Sequence, residues 1–106
     1  MQSLEAEFHE AMLAIYKAAI EACNYRAKAF LSMVVEMGGL RAAKTLLSTD
    51  EPQSGLYELH RCGRLDLTVE TLVTQPRFRS LFEDAELEEA ERRLVSLGQG
   101  SKSGAA

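Results

Sequence analysis

Four side chains in this sequence could hold a soft metal ion: His9, Cys23, His60 and Cys62. Zinc takes thiolate and imidazole ligands, and structural zinc sites usually show a short paired spacing such as C-x-x-C. The only close pair here is His60 and Cys62, two residues apart, which on a helix point about 200° away from each other. Cys23 falls on an apolar strip, so no metal or other cofactor is expected. The same neighbourhood offers Cys62 as a nucleophile, with His60 as base and Asp66 as orienting carboxylate. Triads assemble residues from separate elements, however, and a cysteine beside Gly63 at a helix end reads more simply as packing. There is no G-x-S-x-G elbow, H-E-x-x-H pair or Walker-type loop, and Gly38-Gly39 is followed by Leu40-Arg41 rather than by Lys-Ser/Thr. The chain is read as a non-enzyme.

Charge supplies the remaining candidates. Residues 24–47 carry Arg26, Lys28, Arg41 and Lys44 against the single anion Glu36, a sign that suits phosphate contact. A helix, the Gly38-Gly39 turn and a second helix would present them. A helix-turn-helix needs a small residue four before the turn glycine and apolar residues on the inner face of the second helix. Setting the register on Gly38 puts Val34 and Lys44 at those positions, and setting it on Gly39 puts Val35 and Thr45 there, so neither register fits. Residues 81–106 have the opposite balance: Glu83, Asp84, Glu86, Glu88, Glu89 and Glu91 face Arg92, Arg93 and Lys102. Glu86 and Glu89 on that helix are candidate contacts for a basic partner. Arg64 and Asp66, flanking Leu65, are expected to hold a helix junction in register through a charge-assisted bond, with Arg64 as an alternative partner contact. Tyr57 is either an interface anchor or core.

Helices must position all of these groups. From Ser3 to Cys23, Leu4, Phe8, Ala11, Ile15, Ala18 and Ala22 recur at helical spacing, with Met12, Tyr16, Ala19 and Cys23 on the adjoining strip. So wide and alanine-rich a sector predicts close packing against two neighbours, or against one neighbour and a second copy of the chain. Asn24 is expected to break this helix and cap the next, which carries Ala27, Phe30, Leu31 and Val34. Gly38-Gly39 marks a sharp turn before a short helix with Leu40, Ala43 and Leu47. Residues 48–54 form the chief loop, after which Ser54 caps a helix bearing Leu56 and Leu59 that stops at Gly63. Leu65 to Val73 reads as helix capped by Asp66 or Thr68, since a lone strand would leave its backbone unpaired. Pro76 opens a helical segment with Phe78, Leu81 and Phe82, and Asp84 caps a last helix with Leu87, Ala90, Leu94 and Leu97 on its apolar side. Its carboxylates come early and Arg92 and Arg93 late, opposing the helix macrodipole at both ends.

The expected fold is an all-α, single-domain bundle of five to seven helices over 1–98, with a frayed polar tail at 99–106. A length of 106 residues suits one domain, and a net charge of −4 argues against general affinity for nucleic acid or anionic lipid. No apolar run reaches the roughly 18–20 residues of a membrane helix, and the start Met1-Gln2-Ser3-Leu4-Glu5 is acidic where an export signal would be basic. Two cysteines 39 positions apart are too few for a disulfide framework, which fits a reducing cytosol.

The run Tyr25-Arg26-Ala27-Lys28-Ala29-Phe30-Leu31 leads through Met33-Val34 to Gly38-Gly39-Leu40 and Leu46-Leu47. With Gly55-Leu56-Tyr57, Gly63 through Glu70, Pro76-Arg77-Phe78 and Leu81-Phe82, it resembles a family of small bacterial proteins usually described only as hypothetical. The resemblance covers about residues 8–97. It implies a bacterial, cytosolic, all-helical domain, with an association to restriction and other defence genes, and it brings no activity or site residues. The expected function is a protein-protein interaction module acting on an unidentified protein partner and able to self-associate. The alternative is a nucleic-acid-binding regulator using Arg26, Lys28, Arg41 and Lys44, with an enzyme third.

Overall fold

Ser3 sets where the chain first becomes helical. Its Oγ accepts the Ala6 N–H at 3.1 Å, and Glu5 and Glu7 add negative charge to the first turn, so α1 runs Leu4–Cys23. The computed structural model describes residues 3–50 and 54–98; the expected tail at 99–106 lies outside them. After α1 come α2 (Lys28–Met37), α3 (Gly39–Leu47), α4 (Ser54–Arg61), a 3₁₀ turn (Leu65–Leu67), α5 (Val69–Val73), a second 3₁₀ turn (Arg79–Leu81) and α6 (Asp84–Ser96). Six α-helices and no strand among the described residues make this an all-α, single-domain bundle.

Several helix ends differ from expectation in an instructive way. Asn24 is not the N-cap of α2: it adopts the left-handed conformation at φ 53° and closes α1, with its N–H on the Ile20 carbonyl, and Ala27 begins α2 without a side-chain cap. Asparagine tolerates that conformation, so the same residue type serves either end of a helix. At α6 the cap is Glu83, not Asp84. Glu83 and Glu86 form a capping box in which the Glu86 carboxylate takes the Glu83 N–H at 2.8 Å. The segment Leu65–Val73 is two elements: a 3₁₀ turn leads to Thr68, whose Oγ1 accepts the Thr71 N–H at 3.2 Å and starts α5. Pro76 sits in a turn, and the helical geometry after it is only the 3₁₀ turn Arg79–Leu81.

The core gathers on α1. Phe8 and Met12 are fully buried, and Phe8 meets Phe78 and Phe82 edge-on at ring-centroid distances of 5.1 and 5.3 Å. Phe30 and Val34 of α2, Ala42, Ala43 and Leu47 of α3, Leu72 and Val73 of α5, and Leu87 and Ala90 of α6 complete this cluster. Gly38, at φ 88°, turns the chain between α2 and α3. Gly39 is where α3 meets α1 most closely: a Cβ there would stand 2.7 Å from the His9 Cα. His9 Nδ1 accepts the Gly39 N–H at 2.9 Å, satisfying a donor that the first turn of α3 leaves unpaired. A smaller, separate apolar cluster joins Ala19 of α1 to Leu59 of α4 and Leu67, with Ala18, Cys23 and Tyr25 packed against it.

Candidate functional site

The most deeply placed charges are Arg93 on α6 and Glu70 on α5, both essentially inaccessible to solvent. The Arg93 guanidinium donates to Glu70 Oε2 at 3.2 Å, to Glu89 Oε2 at 2.6 Å, and to the carbonyls of Leu46 at 3.2 Å and Thr49 at 2.8 Å. One side chain thus ties the C-terminal end of α3 and the loop after it to α5 and α6. Burial pushes the Glu70 carboxyl above its ordinary range, against the pull of its backbone and of Arg93. Its Oε1 has no hydrogen-bond partner among the described residues. Glu89 behaves oppositely: hydrogen bonds from Arg92 and then Arg93 hold it down at about 2, although partial burial works the other way. Position 93 lies three residues after Ala90 and four before Leu97, inside the apolar stripe of α6, which is the one sequence signal for its burial. Satisfied by four acceptors and closed to solvent, the guanidinium is a fastener of helices rather than a group that could meet a substrate.

The residues singled out in the sequence are dispersed. Lys44 is engaged with Glu86 Oε1 at 2.8 Å and lies 5.3 Å from the centroid of the Phe82 ring. Arg26, Lys28 and Arg41 are exposed. Lys28 opens α2, whereas Arg41 lies on α3, past the Gly38 turn at the other end of α2. Helix α3 turns Gly39, Ala42, Ala43 and Leu47 inward, which leaves Arg41, Thr45 and Ser48 on its open side. Arg64 grips Asp66 with two bonds of 3.0 Å, lowering the Asp66 pKa and raising its own. Glu86 caps α6 and Glu89 holds Arg92 and Arg93, so both acidic partner candidates have internal roles.

The two cysteines correct the sequence expectation. Cys23, the last residue of α1, and Cys62, just after α4, form a disulfide with a Cα–Cα distance of 6.0 Å. Their sequence separation says nothing about this pairing; it follows from α4 folding back so that its end lies beside the end of α1. Neither sulfur is a thiol in this state, His9 is committed to Gly39, and no group of three His, Cys, Asp or Glu among the described residues is placed to hold a metal ion.

Tyr57 remains as an open contact. It is 48% exposed on α4. Arg92 is braced by two bonds to Glu89, at 3.0 and 2.6 Å. Val95, 53% exposed, follows Arg92 by three residues and shares its face of the helix. An exposed tyrosine on α4, and an arginine held in one geometry with an exposed valine on one face of α6, are therefore open to solvent. No family model, curated protein or solved structure matches this chain.

Proposed function

We propose that this chain is a non-catalytic protein-protein interaction module, and that it meets its partner through Tyr57, Arg92 and Val95. What carries the reading is the exposure of Tyr57 on α4, and of Val95 on α6 next to an arginine already fixed by Glu89. Tyrosine and arginine dominate the energetics of protein interfaces, and a pre-ordered guanidinium loses less side-chain freedom when a partner covers it. This reading keeps the bacterial, cytosolic, defence-associated setting that the sequence resemblance implies as part of the proposal. No helix among the described residues is long and apolar enough to cross a membrane.

The test is affinity capture on tagged wild type and on a Tyr57→Asp, Val95→Asp variant, both checked by circular dichroism. A stoichiometric protein held by wild type through nuclease and high salt, and released by the variant, supports the reading. Equal capture by both forms removes this face.

The exposed cations Arg26, Lys28 and Arg41 favour the second reading, a nucleic-acid-binding regulator, with Lys44 drawn into an ion pair with Glu86. That reading requires affinity that falls steeply with salt and is lost in Arg26→Glu, Arg41→Glu.

A further inference from the structure

Among the described residues, α4 is the most lightly anchored of the six α-helices. It is eight residues long and buries only Gly55, Leu56 and Leu59. Its main packing partner is the 3₁₀ turn Leu65–Leu67, and Leu59 belongs to the small apolar cluster with Ala19 and Leu67 rather than to the large core. Among the described residues, Tyr25 Oη to Ser54 Oγ at 3.3 Å is the side-chain contact that supports its first turn. The disulfide from Cys62 to Cys23 therefore supplies what packing does not, a covalent tie of α4 to the end of α1. That tie is accessible. Cys62 is exposed, and the pair opens onto a shallow cleft lined by Tyr25, Glu58 and Arg61.

We propose that Cys23–Cys62 is a reversible redox latch: an external dithiol opens it, and α4 then leaves the bundle while the core stays folded. A thiolate of the dithiol attacks Cys62 Sγ, the more exposed end; the S–S bond breaks and its electron pair leaves on Cys23 Sγ. The second thiol of the reductant then attacks its own sulfur in the mixed disulfide and releases Cys62 as thiolate. The protein gains two electrons, the two thiol protons of the reductant end on Cys23 and Cys62, and the reductant becomes a disulfide. Undocking uncovers Leu56 and Leu59 together with the walls they close against, Ile15, Tyr16 and Leu67. The latch stands whether or not the Tyr57 face binds a partner.

Hydrogen exchange read by mass spectrometry on the full chain tests it, oxidised and after treatment with dithiothreitol without denaturant. In the reduced protein, amides of Leu56–Arg61 are expected to exchange within about tenfold of the unstructured rate, while those around Met12 and Leu94 remain protected at least about a hundredfold. Cys23→Ser, Cys62→Ser must reproduce that pattern without reductant, and oxidised glutathione must restore both the disulfide mass and the protection of α4 in the reduced wild type. Three results overturn the proposal: a disulfide that dithiothreitol opens only in denaturant, an α4 that stays as protected as α1 after reduction, or protection lost throughout the chain.

Discussion

Replacing Arg93 by methionine keeps much of the side chain's length and removes its charge. Wild type places the guanidinium against Glu70 at 3.2 Å with both groups out of solvent, and the same group supplies donors to the Leu46 and Thr49 carbonyls. Losing one partner of a buried ion pair costs about 3–5 kcal/mol, because the remaining charge is left without compensation. Unfolding entropy for a chain of this length is about 0.2 kcal/mol per degree, so Tm should fall by about 15–25 °C. With a urea slope of about 1.5 kcal/mol per molar, the denaturation midpoint followed by circular dichroism should drop by about 2–3 M. The cause is separable from lost packing. Burial already holds the Glu70 carboxyl above its ordinary range, and without Arg93 it rises further. A carboxyl whose folded pKa is raised destabilises the fold above its unfolded pKa, and protonation removes that penalty. The gap between Arg93→Met and wild type should therefore narrow from pH 7 to pH 4.5. Adding Glu70→Leu to Arg93→Met should recover much of the loss at pH 7, since an apolar replacement of a buried pair is often neutral or better. A single variant within about 1 kcal/mol of wild type, or a double variant less stable than the single, would refute the reasoning.

Three further outcomes follow from the geometry. Gly39→Ala should destabilise by about 1–3 kcal/mol despite alanine's better helix propensity, because its Cβ would meet the α1 backbone at His9, and a urea titration showing equal or greater stability contradicts this close approach. Glu89, held at about 2 by Arg92 and Arg93, contributes stability that is present above its unfolded pKa near 4.5 and is lost as pH falls toward 2. Glu89→Gln should accordingly be less stable at pH 7 and flatten the acid limb of the stability curve between those values; an unchanged limb in acid titration rules the contribution out. Cys23→Ser, Cys62→Ser removes a crosslink between positions 39 apart, and the loop-closure relation puts the loss of stability at about 4 kcal/mol. A urea midpoint matching that of oxidised wild type would show that the crosslink does not constrain the unfolded chain.

The all-α order of the elements and a range of five to seven helices were legible in the sequence because they depend on neighbours within one turn. The three- and four-residue spacing of Leu87, Ala90 and Leu94 specifies α6, and Gly38 marks the turn before α3. The ends were less legible. Asn24 suits both a left-handed C-cap and an N-cap, and Glu83 and Asp84 are both able to cap, so the choice fell to backbone conformation and to Glu86 reaching back. On α1 two apolar strips competed, and the tertiary neighbours drew on both, burying Phe8, Met12 and Ala19.

Side-chain pairing across elements could not be read along the chain. Lys44 looked free for phosphate until α6 brought Glu86 to it, and Arg93 looked like a macrodipole complement until α5 brought Glu70. Cys23 and Cys62 are remote in sequence and become neighbours only because α4 returns to the end of α1. Spacing along one strand of chain encodes which face of a helix is apolar, since that is settled by local geometry. Which charge meets which, and which sulfur meets which, depends on how separate helices cross, and only the packed tertiary structure decides that.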